Sequence, residues 1–147
     1  MAACTFFGHR DCPQTVRGEL YAQMERLVGQ GVDTFYVGNQ GQFDAMVYGC
    51  LKELGRVYPH VRYRVVLAYL PTPEQGFRDA SDTLYPEGME LTPPKFAIDR
   101  RNRWMLKEAD ICLCCIHHTW GGAYKYVRMA KHQGKQVINL GSAKLDL

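Results

Sequence analysis

No apolar run in these 147 residues approaches the ~20 that a bilayer span requires, so no membrane association is expected. The N-terminus, Met-Ala-Ala-Cys-Thr-Phe-Phe-Gly-His-Arg, lacks the basic stretch and long apolar core of a secretory signal, which makes the cytosol the default compartment. There is no C-x-x-C pair, no G-x-G-x-x-G and no Walker A loop, so neither a dinucleotide fingerprint nor a P-loop NTPase is supported. Charge of one sign is also scarce. The 18 basic and 15 acidic residues leave a net +3, compatible with anion binding but far short of a dedicated nucleic-acid binder.

What is present suffices for one core. At 46% hydrophobic and 12% aromatic the chain excludes disorder, and its length fits a single domain rather than two. Of six cysteines, three crowd into Ile111-Cys-Leu-Cys-Cys-Ile116. On a strand Cys112 and Cys114 share one face and Cys115 takes the other, and three thiols from one strand do not build a tetrahedral zinc site unaided. The cysteines are expected to be reduced, small and buried. No metal site and no cofactor are expected.

Strand-like and helix-like segments alternate. Ala3–Phe7 reads as a buried strand. Pro13–Gln30 reads as a helix with Val16, Leu20, Met24, Leu27 and Val28 on one face. Asp33–Val37 is a second strand. Phe43–Tyr58 is a second helix with Ala45, Val47, Cys50, Leu51 and Leu54 inward, and Val61–Leu70 a third strand. Pro71–Pro94, with five prolines, reads as a long lid or binding loop. Lys95–Ala109 is helical, with Thr92 as N-cap and Pro93 at the first helical position. Asp110–Ile116 is a fourth strand, Gly121–His132 a last helix and Gln136–Leu140 a fifth strand. Apolar strands separated by helices indicate a single Rossmann-like, three-layer α/β domain over 1–147, its sheet mostly parallel and of about five strands.

In such sheets ligands bind beyond the carboxyl ends of the strands, where helix N-termini offer free N–H groups. Gly8-His9-Arg10 follows the first strand, and Arg10 offers a planar fork for phosphate or carboxylate. Gly38-Asn39-Gln40-Gly41 follows the second, with Asp44 in the next helical turn as a ribose ligand, an acid or base, or merely a complement to the helix dipole. After the fourth strand, Gly121 and Gly122 form a phosphate cradle and Trp120 a stacking face for a base. The adjacent His117 and His118 are poorly placed to chelate one metal and read as solvated.

Arg100, Arg101, Asn102 and Arg103 lie on one helix, with Arg100 and Arg103 sharing a face and Arg101 turned away. The run is either a solvated basic face or an anion clamp at the site. Lys125, Arg128, Lys131, His132 and Lys135 form a further basic stripe, read as solvated, with Val127 and Ala130 inward.

Taken in order, Phe7-Gly-His-Arg10, Val37-Gly-Asn-Gln-Gly-Gln-Phe-Asp44, Thr83-Leu-Tyr-Pro-Glu-Gly88, Ala97-Ile-Asp-Arg-Arg-Asn-Arg-Trp-Met105 and Trp120-Gly-Gly-Ala-Tyr124 resemble the SLOG superfamily of Rossmann-like proteins. Within it the chain is most similar to the small bacterial and phage YpsA-like proteins, related to cytokinin-activating phosphoribohydrolases and to DprA/Smf DNA-processing proteins. The resemblance implies a nucleotide-type ligand, with phosphate near Gly121 and Gly122, bound by a sensor or sequestering module. It also implies a homodimer, by analogy with relatives that pair through helices beside the site. The phosphoribohydrolases carry P-G-G-x-G-T-x-x-E. Here Trp120 replaces the proline, and Arg128 or, in a shifted alignment, Tyr126 stands at the glutamate's offset. An N-glycosidase acting on nucleoside monophosphates would therefore need Asp44 or Asp99 as its carboxylate. A third reading is DprA-like binding of single-stranded DNA. The small net charge and the lack of appended domains disfavour nucleic acid as a partner.

Overall fold

The computed structural model describes residues 2–71 and 82–145. Its strands and helices alternate as β1 (Ala2–Gly8), α1 (Arg17–Gly29), β2 (Val32–Val37), α2 (Gly41–Val57), β3 (Arg62–Val66), β4 (Thr83–Leu84), α3 (Ala97–Glu108), β5 (Ile111–Cys115), α4 (Gly122–His132) and β6 (Gln136–Asn139). One sheet holds all six strands in the order β4-β3-β2-β1-β5-β6, every pairing parallel.

The apolar runs explain which strands are central. All five residues of β5 are buried, as are Ala3–Phe7 of β1, so both strands must be covered on two faces. Alternation sends Phe6 into a core with Leu20, Phe35 and Leu51 beneath α1 and α2. Its neighbour Phe7 enters a second core with Met105 and Val127 beneath α3 and α4. Cys115 joins the first core, Cys112 and Cys114 the second, as strand alternation requires.

Three expectations are corrected. The sheet has six strands rather than about five, because Thr83–Leu84 pairs with Val65–Val66, and two residues give no readable period. Residues 72–81 of the proline-rich segment lie outside the described residues. The segment Pro94–Phe96 is a separate 3-10 turn with Pro93 at its N-cap, and α3 begins only at Ala97. Ala45 is exposed, because Phe43, Met46 and Val47 supply the inward face of α2.

The topology creates the site. From β1 the chain steps outward through β2, β3 and β4, then crosses to β5 on the other side of β1. The loops leaving β1 and β5 therefore diverge and open a crevice at the carboxyl ends of the two strands. α2 closes tightly on it: a Cβ on Gly8 would clash with the Phe43 ring.

Candidate functional site

The crevice is a cleft of about 640 Å³. Gly8, His9, Arg10 and Asp11 line it from the β1 loop, Gln40 and Asp44 from the start of α2, and Ile98, Arg101, Asn102 and Met105 from α3. His118, Trp120, Gly121, Gly122, Ala123 and Tyr126 complete it from the β5 loop and α4. A volume of this order suits a small-molecule ligand or one nucleotide unit.

Of the residues singled out in the sequence, Gly8, His9, Arg10, Asp44, Arg101, Asn102, Trp120, Gly121 and Gly122 come together here. Gly38, Asn39, Gly41, Arg100 and Arg103 do not line the cleft. Gly38 and Asn39 support it from behind. A side chain at position 38 would displace both the Arg101 guanidinium and the Asp44 carboxylate, since a Cβ there would lie 2.9 Å from each.

The arginine run divides as its spacing predicts, with Arg100 and Arg103 on the outer face and Arg101 turned away from them toward the sheet. Arg100 donates to Thr92 Oγ1 at 3.0 Å, and Arg103 pairs with Asp99 at 2.9 Å, both exposed. Arg101 is 2% exposed and donates to Asn102 Oδ1 (2.8 Å), the Val66 carbonyl (2.9 Å) and Asn39 Oδ1 (3.3 Å). Helix spacing accounts for this, because Arg101 lies four residues from both Ala97 and Met105, on the stripe that faces the sheet. Burial of a guanidinium at this depth requires such partners.

The two carboxylates differ in kind. Asp44 Oδ2 accepts the Gln40 backbone N–H at 2.9 Å, and Asp44 faces the cleft. Burial pushes its carboxyl up to about 6, against the opposing effects of that hydrogen bond and of Arg101. Asp99 is outside the cleft lining. Burial alone would raise it, but hydrogen bonds from Tyr126 (2.6 Å) and Arg103, with the charges of Arg103 and Lys125, hold it below its ordinary value. Asp99 is thus committed to holding α3 against α4, while Asp44 is available to a ligand.

His117 and His118 separate, as adjacent residues leaving a strand do. The His117 backbone N–H donates to His9 Nδ1 at 3.3 Å, which places the neutral ring's proton on Nε2. That Nε2 is buried and lacks a hydrogen-bond partner. Burial, and then the neighbouring His118, depress the His9 pKa, so the ring is a neutral N–H donor at physiological pH. His118 stacks on His9 (3.5 Å between centroids, 9° between planes) and Trp120 stacks on His118 (3.7 Å, 16°). The column ends in solvent, with Trp120 68% exposed. Sequence reasoning missed His118 and Tyr126. Tyr126 could have been found from the inward α4 stripe it shares with Val127 and Ala130.

The cysteines depart from their expected reduced state. Cys12, in the loop after β1, is disulfide-bonded to Cys115 at the end of β5. The two are 103 residues apart, and only the parallel pairing of β1 with β5 brings them together. Cys4, Cys50, Cys112 and Cys114 are free and buried, as expected. Among the described residues no helix is long and apolar enough to cross a membrane.

These features define a Rossmann-like α/β protein with its cleft at the switch point of an open parallel sheet. The chain is similar in structure to DNA processing protein A from Helicobacter pylori, solved for its single-stranded DNA binding mode. The TM-score is 0.65 at 14% identity, over 99% of this chain and 67% of that one. At that identity the likeness shows the fold. No protein-family model matches the chain, and no curated protein is similar to it in sequence. The setting aside of nucleic acid is corrected by this comparison, since a single-stranded DNA binder shares the fold over almost the whole chain. The charge argument behind it also fails physically. Single strands are held by stacking on aromatic faces and a few phosphate contacts, which a net +3 does not oppose.

Proposed function

We propose that the cleft binds one nucleotide unit of a single-stranded nucleic acid, with its base stacked on Trp120 and its phosphate against Arg10 and the first turn of α4. The observation that carries this reading is the His9–His118–Trp120 column, whose outer member is exposed and immediately precedes the Gly121–Gly122 helix start. Stacking on such a face tolerates every base. The N–H groups of the first α4 turn have no acceptors within the helix and favour an anion, and His9 Nε2–H adds one buried donor. The resemblance of the sequence motifs to the SLOG superfamily, which implies a nucleotide-type ligand, agrees with this placement. A free nucleoside phosphate is the second reading, supported by Asp44 in the cleft wall, where a carboxyl can accept from ribose hydroxyls.

The test is fluorescence anisotropy with a labelled oligothymidylate, alongside competition by thymidine monophosphate. Trp120→Ala should weaken oligonucleotide binding by roughly 10- to 100-fold, because stacking is worth about 1–3 kcal/mol per base. It should leave the melting temperature unchanged, since Trp120 is largely exposed. Arg10→Ala should weaken binding and flatten its salt dependence. Oligonucleotide affinity unaffected by both changes refutes the proposal. Displacement by the monophosphate at equal concentration favours the second reading.

A further inference from the structure

Three groups with affinity for soft metal ions meet where β5 ends. Cys12 comes from the β1 loop, Cys115 closes β5, and His117 follows two residues on; one ligand atom from each lies within 4.8 Å of the others. Cys115 Sγ is 3.5 Å from His117 Nε2. In a tetrahedral zinc site, with Zn–S of about 2.3 Å and Zn–N of about 2.0 Å, sulfur and nitrogen ligands stand about 3.5 Å apart. The observed separation, which in the metal-free chain is that of an N–H···S contact, already accommodates one ion between the two.

The surroundings fit as well. Both cysteines are buried and His117 is half-buried, which limits competition from water. His117 Nδ1 accepts the Ser142 backbone N–H at 3.2 Å and lies 3.0 Å from Ser142 Oγ, so the metal-free ring carries its proton on Nε2; metal binding at Nε2 moves that proton to Nδ1, where Ser142 Oγ accepts it. The Cα atoms of Cys12 and Cys115 are 6.4 Å apart, at the long end of the disulfide range, so little backbone movement separates the sulfurs. The neighbouring group of His9, Asp11 and His118 is a poorer candidate. Its imidazoles are stacked face to face at 3.5 Å, so their lone pairs run side by side rather than converging.

We propose that Cys12, Cys115 and His117 form a site for a thiophilic divalent cation of the zinc class, and that the disulfide is its oxidised, metal-free form. A dithiol reductant supplies two electrons, is itself oxidised to a disulfide, and leaves one thiol on Cys12 and one on Cys115. The cation then displaces both thiol protons to solvent and is held by two thiolates and a neutral imidazole. Three protein ligands leave the fourth position to water. The site stands on these residues alone and does not rest on the nucleic-acid reading.

The test titrates the full-length chain, reduced with a phosphine and stripped of metal, with Zn²⁺ against a chromophoric chelator, and in parallel with Co²⁺. The expected result is one equivalent per chain with thiolate-to-cobalt charge-transfer absorption. Affinity should fall on the order of 100-fold in Cys12→Ser and in His117→Gln, and the oxidised chain should bind no metal at this site. Cys12→Ser retains the buried Cys112 and Cys114, so it separates this site from adventitious thiol binding. The proposal is overturned if reduced chain and Cys12→Ser bind equally, or if no charge-transfer band appears.

Discussion

Replacing Asp44 by asparagine should stabilise the fold, and by an amount that depends on pH in a defined way. Burial raises the carboxyl from an ordinary 3.8 to about 6, a displacement of about 2 units. At 1.36 kcal/mol per unit this corresponds to about 3 kcal/mol of stability lost by the ionised native state. The folded chain binds more protons than the unfolded chain between about pH 4 and pH 6, so stability falls as pH rises through that window. Below pH 4 Asp44 is protonated in both states and its substitution should matter little. Above pH 6 the full difference should be present. Asparagine retains an oxygen for the Gln40 N–H and removes only the charge. Urea melts of both proteins at half-unit steps from pH 4 to pH 8 read the difference directly, because the other titrating groups are shared. The variant should gain about 3 kcal/mol at neutral pH, or about 6–12 °C in melting temperature. A difference independent of pH, or a variant less stable at pH 7.5, would refute the reasoning that burial dominates at this carboxyl.

Two further substitutions test the hydrogen-bond networks behind the cleft. Arg101→Met leaves the Val66 carbonyl and the side chains of Asn39 and Asn102 without their donor. It should cost about 2–4 kcal/mol in a denaturant melt and move the Asp44 titration higher still, since Arg101 lowers it. Asn139 clamps the end of the β5 loop. Its Oδ1 accepts from Ile116 N (2.8 Å) and Gly141 N (2.9 Å), while Nδ2 donates to the Ile116 (3.1 Å) and Ala143 (3.0 Å) carbonyls. Asn139→Ala should cost about 2–4 kcal/mol and accelerate amide exchange at Ile116 and Gly141.

The layers and most element positions were legible because β1 and β5 are near-continuous apolar runs and β2 is rich in β-branched and aromatic residues, each bounded by glycine or polar loops. Trp120, Gly121 and Gly122 marked the cleft for a different reason, their position between the end of a strand and the start of a helix. Spacing separated Arg101 from Arg100 and Arg103 but left open which face meets the sheet, because it tells only which residues share a face. Reading Ala97, Arg101 and Met105 as one stripe would have resolved it. The Cys12–Cys115 bond and the stacking of His9 on His118 had no sequence signal, since each joins segments more than 100 residues apart. The two-residue β4 was missed because its place comes from pairing with β3 rather than from any period of its own.

The contact of Gly8 with Phe43 has a dimensional consequence. With no side chain on one partner and a flat ring on the other, the backbone at the end of β1 lies directly against the Phe43 ring of α2. Phe43 is a spacer that gauges the distance from His9 and Arg10 to Gln40 and Asp44 across the cleft floor. A methyl group at position 8 would spread those walls together, and a smaller residue at position 43 would let them close. The pair thus sets the bore of the site without touching what the site holds.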